Sequence, residues 1–472
     1  MIQRNSMIKF TILTALSISL LPGNMATAQT NNQFSLQQTV DYGLKNAVQV
    51  KNALLDIKIQ QQTNREITAA ALPQLNGSIN TTHYFNIAVQ TLPNFIGPAT
   101  YQVLIDEAVK NGSGNTIIST PAGGFGNINA QFGVPWTASG GLDFSQLLFD
   151  GQVFVGLQAR SAAMELARKT AEVTTEQIKA NIEKIYYQLV VGQKQLGSVE
   201  ANIDRFNKLL HDTKEIYKNG FAEKLDVDKI SVQLNNLQTE KEKILSQLSA
   251  GNAGLKFLIN MPQKDTLALT DTLNDDDLKA DILDASYSYQ DRKEIQLLST
   301  ASKLSGYNVK RYQLSRIPTI AAFASYSKNA QRNKFDFFGK GDWFTTSMIG
   351  LKVSVPIFDG FARRARIENA RLSLEKTNNN LQQAKESMDY DVSVARTKMK
   401  TAMLTVDNQK QNIQLAEQVY GSTKKKYEQG LGSNQEIYTA QTELKVAQNN
   451  YYSALYDAIT AKIDYLKATG KL

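Results

Sequence analysis

The feature that most restricts this chain is a helical pattern that recurs at a distance of 210 residues. From Ile178 the apolar positions advance by four and three in alternation: Ile178, Ile182, Ile185, Leu189, Gly192, Leu196, Val199, Ile203, Phe206, Leu210, Thr213 and Tyr217. Such spacing is the seam of a helix that packs along its whole length against another. Adding 210 gives Met388, Val392, Ala395, Met399, Ala402, Val406, Gln409, Ile413, Ala416, Tyr420, Thr423 and Tyr427, in the same register with one polar lapse. Past a turn the pattern resumes as Val227, Ile230, Leu234, Leu237, Lys241, Ile244, Leu248, Gly251, Leu255 and Leu258, and 210 residues on it runs from Ile437 to Ala468. Two-helix solenoid repeats recur every 30 to 50 residues or so, so a period this long describes a large module written twice. Lys241 interrupts the seam and is expected to reach out to solvent.

Between the helices the period changes from 3.5 to two. Leu75, Gly77, Ile79, Thr81, His83, Phe85, Ile87 and Val89 alternate with more polar residues over 75–90, which predicts a strand with one mainly apolar face. Trp136 to Phe149 is its expected partner, with Trp136, Ala138, Leu142, Phe144 and Leu148 on one side. In the second copy residues 319–328 form a less regular strand, whereas Ile349, Leu351, Val353, Val355 and Ile357 alternate cleanly within 343–357. Matching punctuation frames both hairpins: Pro73 and Pro318 end one helix, and Asp150-Gly151 and Asp359-Gly360 open the next. The prolines lie 245 residues apart and the glycines 209, so the first hairpin carries 36 more residues. They fall near 91–135, a Gly-, Asn-, Ser-, Thr- and Pro-rich stretch that reads as a long surface loop.

The N-terminus has the form of a secretory signal peptide. Arg4 and Lys9 precede the apolar run Phe10 to Leu21, and cleavage is expected after Ala28. No other apolar run approaches 18 residues, so entry into a membrane requires strands rather than a spanning helix. The chain has no Cys, which removes disulfides, thiolate sites and an acylated N-terminal Cys. The net charge of +8 falls to +6 without residues 1–28, and no basic stripe interleaved with aromatics suggests nucleic acid. His83 and His211 are the only histidines, far apart in the chain, and Asp275, Asp276 and Asp277, with Asp271, Asp281 and Asp284, lack the glycine spacing of a calcium loop. No cofactor, metal or catalytic motif is expected, and the acidic run reads as a solvated connector.

Strands of about ten residues with one apolar face suit a lipid-embedded barrel. Four strands cannot close and open edges are not tolerated in lipid, so the chain must oligomerise; three copies give twelve strands and leave a lumen. The expected division is a signal peptide 1–28, a first repeat 29–265 with hairpin 74–149 and helix pair 152–260, a connector 266–290, and a second repeat 291–472 with hairpin 319–358 and helix pair 361–470.

The order of these elements in both halves resembles the TolC-like outer membrane efflux proteins. The resemblance is carried by the Pro-bounded helix-to-strand junctions, the two Phe-Asp-Gly junctions, and the turns Tyr217-Lys218-Asn219-Gly220-Phe221 and Tyr427-Glu428-Gln429-Gly430-Leu431. It implies an α+β membrane protein: a homotrimer with a 12-stranded transmembrane β-barrel in outer-membrane lipid, continuous with a periplasmic α-helical barrel. It also implies an exit duct for a tripartite efflux or type I secretion system in a Gram-negative bacterium, fed by an inner-membrane pump through a periplasmic adaptor protein. A structural or adhesive coiled-coil protein of the envelope, its strands packed in a soluble cap, is the alternative. By the same resemblance, Gly220, Phe221, Ala222, Gly430, Leu431 and Gly432 dock the adaptor at the periplasmic tip. Tyr217, Asp226, Tyr427 and Glu436 fall where the family builds a constriction or gate. The family's best-studied gate also uses an Arg two residues and an Asp nine residues after the second glycine, where this chain has Gly432 and Thr439.

Overall fold

The computed structural model describes residues 31–272 and 286–472. The expected signal peptide with its cleavage point at Ala28, and the acidic run at 275–277 with Asp281 and Asp284, lie outside the described residues. In chain order the first repeat comprises β1 (Asn31–Phe34), α1 (Leu36–Asn46), α2 (Val48–Ala69), β2 (Gln74–His83), β3 (Val89–Pro93), α3 (Ile96–Asp106), β4 (Asn127–Gln131), β5 (Trp136–Phe149), α4 (Gly151–Lys218) and α5 (Lys224–Leu258). Then follow β6 (Thr266–Leu269), α6 (Lys293–Leu314), β7 (Thr319–Arg332), β8 (Phe344–Ser354), α7 (Ala362–Glu428) and α8 (Asn434–Thr469). The described residues fold as two compact units, 31–48 with 178–272 and 399–463, and 49–177 with 286–398 and 464–472.

The duplication survives down to the helix stops. The α4/α5 pair and the α7/α8 pair begin and end within one residue of a 210 shift. Each of the four helices ends in a Schellman turn, in which the second residue past the cap bonds back to a carbonyl five residues earlier: Phe221 to Ile216 and Leu431 to Lys426 at 3.0 Å, Met261 to Lys256 and Lys471 to Leu466 at 2.8 Å. The residue that turns left-handed is Gly220 (φ 81°), Asn260 (φ 57°), Gly430 (φ 74°) or Gly470 (φ 74°), the residue types that tolerate this conformation best.

In the first unit, the seam closes as a buried cluster of Val199, Phe206 and Leu209 from α4, Ile230, Leu234, Leu237 and Ile244 from α5, and Ile437 from α8. Covering one such side chain fully contributes about 1.5–3 kcal/mol. Farther along, α4 and α5 interlock through two small residues. A Cβ on Gly192 would lie 2.9 Å from Leu248, and one on Gly251 2.8 Å from Leu189, so each glycine is the hole for the other helix's leucine. Lys241 does not simply reach into solvent: its ammonium meets Glu200 of α4 at 2.8 Å, tying the two helices across the break in the seam. Below that pair Glu240 accepts from Lys445 at 2.6 Å and from Asn449 at 3.0 Å, which joins α5 to α8.

Residues 31–38 are fastened into the first unit. Ser35 caps α1 in a capping box with Gln38, and β1 pairs in parallel with β6, a strand inside the segment expected to be connector. Tyr186, fully buried and off the 4-3 seam, donates to the Phe34 carbonyl at 3.2 Å and accepts from the Asp271 N–H at 3.3 Å. Burial pushes its hydroxyl up to about 12.

In the second unit the four long strands form one antiparallel sheet in the order β2-β5-β7-β8, so the two hairpins lie side by side with β2 and β8 at the edges. The first strand is shorter than its alternation suggested. It ends at His83, and Val89–Pro93 instead pairs with β4 in a separate ribbon. The stretch read as a long loop therefore contains two strands and the helix α3, whose 11 residues were invisible among glycines, asparagines and prolines.

Candidate functional site

Strand register decides which residues share a face. Leu75 pairs with Phe144, Gly77 with Leu142, Thr81 with Ala138 and His83 with Trp136. Across the next ladder Phe144 meets Ala324 and Leu142 meets Tyr326, and Ala324, Ala322 and Ile320 oppose Ile349, Leu351 and Val353. One face is thus mainly apolar over the half of the sheet nearer the helices, and toward the hairpin ends it also carries Thr81, Lys328, Arg332, Thr345 and Ser347. The other collects Asn76, Ser78, Asn80, Thr82, Thr137, Ser139, Asp143, Ser325, Ser327, Asn329, Thr346 and Lys352, with Phe323, Phe344 and Met348 among them. A sheet packed in water would bury the first face, but Ile79 is 88% and Ile349 87% exposed. The bulge after Leu147 puts Leu148 outside this alternation.

At the hairpin end the apolar face finishes in aromatics. His83 stacks on Trp136 with ring centroids 4.2 Å apart, Trp136 meets Phe335 edge-on at 5.0 Å, and Phe337 and Phe338 continue the cluster. Aromatic rings gathered at the end of an apolar band are suited to a lipid–water boundary. Sequence reading named Trp136 on this face and missed the phenylalanines, which sit in a connection without periodicity.

The second candidate site is the pair of turns at the other end of the long helices. Phe221 and Leu431, the residues just past the left-handed glycines, are 86% and 72% exposed. Ala222 and Gly432 are half-buried, and a Cβ on Gly432 would lie 3.1 Å from the Tyr427 nitrogen. The two turns are joined: buried Thr213 of α4 donates to the Asn434 side chain at 3.2 Å and lies 3.5 Å from the Tyr427 hydroxyl. The two tyrosines therefore differ, since Tyr427 packs against the seam cluster while Tyr217 is largely exposed. So do the acids. Asp226 accepts from the Glu223 N–H at 3.3 Å in the first turn of α5, whereas Glu436 pairs with Lys426 at 2.7 Å and has its N–H capped by Ser433.

Two carboxyls away from the turns stand out electrostatically. Glu176 of α4 has a buried oxygen without a hydrogen-bond partner, and desolvation, with Glu294 nearby, raises it above the usual carboxylate range. Glu183, one heptad on, is raised by burial against the opposing pull of Lys179 and Lys462. Both are carboxylates held at a cost inside helix packing, and neither falls on the predicted site.

Comparison with known proteins assigns this architecture. Residues 289–471 match the family model described as outer membrane efflux protein. That stretch includes the whole second repeat from α6 onward, and the 210-residue register extends its plan to the first. The chain is 20% identical to outer membrane protein TolC of Vibrio cholerae over 417 residues, 86% of this chain and 94% of that one. The chain is similar to the TolC-like outer membrane efflux proteins. The family model, the TolC relative and the structural neighbour VceC of Vibrio cholerae are all described as outer membrane proteins. The chain is also 20% identical over 333 residues to the alkaline protease secretion protein AprF of Pseudomonas aeruginosa, covering 68% of this chain and 67% of that one. The crystal structure of CusC, described by its transmembrane channel formation, superposes with a TM-score of 0.72 at 16% identity over 95% of each chain. The chain thus shares the fold of CusC at low sequence identity.

Proposed function

We propose that three copies of this chain assemble into an exit duct, each giving four strands to a 12-stranded barrel and its long helices to a periplasmic tunnel. The observation that carries this is the four-stranded sheet with one open apolar face and two unpaired edges, β2 and β8. Hydrocarbon satisfies the face, and the β8 edge of one copy pairing with the β2 edge of the next satisfies the backbone. The envelope-adhesin alternative leaves that exposed face without a partner. Substrates reach such a duct from an inner-membrane pump through a periplasmic adaptor, in an efflux or type I secretion assembly. Phe221, Ala222, Leu431 and Gly432 form the adaptor's docking points, held in place by Gly220 and Gly430.

Tyr217, Asp226, Tyr427 and Glu436 line the constriction at that end. This chain has Gly432 and Thr439 where the family's latch has Arg and Asp, and the Lys426–Glu436 pair supplies an ionic contact within the second turn instead. Because three copies bring three of each acid to one narrow place, the channel is expected to prefer cations. Single-channel recordings of Asp226→Asn and Glu436→Gln test this. Each substitution is expected to lower the cation preference, and the pair together more than either alone; an unchanged preference rejects an acidic constriction.

A further inference from the structure

The two connections at the hairpin end differ in chemistry as well as length. Residues 84–135 carry three charged side chains, Asp106, Glu107 and Lys110, among 52 residues. The other connection, 333–343, carries Lys334, Asp336, Lys340 and Asp342 among 11. Within the longer one, α3 turns Gly97, Tyr101, Leu104 and Ile105 to its more covered side, with the Tyr101 ring 5.2 Å from that of Phe125. Its opposite side presents Ile96, Thr100 and Val103, spaced four and three, and no residue of α3 is buried. Ile96 is 56% and Val103 60% exposed, and Phe95 beside them is open as well.

An exposed apolar helix face marks an interaction surface. A helix that lies on lipid headgroups flanks its apolar stripe with Lys or Arg, whereas α3 is flanked by Gln102 and Asp106 and holds no cation. Depletion of charge is instead the mark of a protein interface. Placement says which protein: the connection leaves the sheet from β2, the free edge at which the next copy pairs in the assembly proposed above. We infer that the Ile96–Thr100–Val103 face of α3 packs against the long connection of a neighbouring copy, so that three connections converge over the outer mouth of the barrel. The inference rests on the trimeric reading. It gives the extra 36 residues of the first hairpin a task, a cap over the outer mouth.

The absence of Cys makes the test clean. Val103→Cys, as a single-cysteine trimer on intact cells and in detergent, is treated with a short bis-maleimide, with Lys340→Cys in the charged connection as control. The expected result is a covalent pair of chains from Val103→Cys and none from Lys340→Cys. A Val103→Cys trimer that stays uncrosslinked, or that crosslinks on cells only to a protein of different mass, overturns the cap while leaving the trimer intact. Loss of any trimer from the untreated wild-type chain overturns the assembly on which the cap rests. Val103→Asp supplies a second readout: it is expected to leave the trimer assembled and raise single-channel conductance, and an assembled trimer with unchanged conductance counts against the cap.

Discussion

Replacing both Gly220 and Gly430 by valine is expected to abolish export-dependent resistance in cells that rely on this chain, with the outer-membrane trimer still present at its normal level. Both glycines are left-handed, at φ 81° and 74°, and each sets the direction in which an exposed apolar residue leaves its helix. A β-branched residue there costs roughly 1–2 kcal/mol or more per site, since its Cβ crowds the backbone. That strain is small against a seam of long buried helices and large against a turn of five or six residues. The turns are therefore reshaped, Phe221 and Leu431 are re-aimed, and docking fails while assembly survives. Gly421→Ala, within α7 and with open space around its Cβ, is the matched control and is expected to be neutral or slightly stabilising. Normal resistance in the double valine variant, measured at equal trimer level, would remove the turns from the docking surface.

Ile349→Lys is expected to prevent assembly of the trimer in the outer membrane, whereas Thr346→Lys, on the same strand, is expected to be tolerated. Ile349 lies at the middle of β8 on the apolar face, and Thr346 lies on the polar one. A lysine at the bilayer midplane costs about 2–4 kcal/mol per copy, and a trimer carries it three times, for a total of order 10 kcal/mol. On the polar face the same ammonium meets water. The check is the amount of heat-modifiable complex recovered from outer membranes. Equal recovery of the two variants would mean that the faces are not divided between lipid and lumen.

The parts of this fold legible in the sequence are those held by periodic burial. The 4-3 seam of α4 and α7 and the two-residue alternation of β2, β5 and β8 are direct records of one face packed and one face open. The glycines at 220 and 430 were legible because a broken seam leaves few ways to reverse a chain. What escaped was held by contacts without a period. Tyr186 is buried through hydrogen bonds to Phe34 and Asp271, residues distant in sequence, and its position is off the stripe that would have revealed it. Glu200 lies 41 residues from Lys241, so their pair could not be read from spacing on one helix. Helix α3 was missed because its single covered side is short and its neighbours are turn-forming residues. The site was legible in outline only. The sequence placed Asp226 and Glu436 at equivalent positions, and their partners, a helix N-terminus for one and Lys426 for the other, make them unequal.

The measurement that bears most directly on the duct is single-channel recording of the purified, unboiled complex in a planar bilayer. A trimeric duct gives discrete, uniform conductance steps that disappear when the complex is boiled to single chains before addition. A complex that enters the bilayer and carries no current under any polarity, or steps that persist unchanged after boiling, would contradict it.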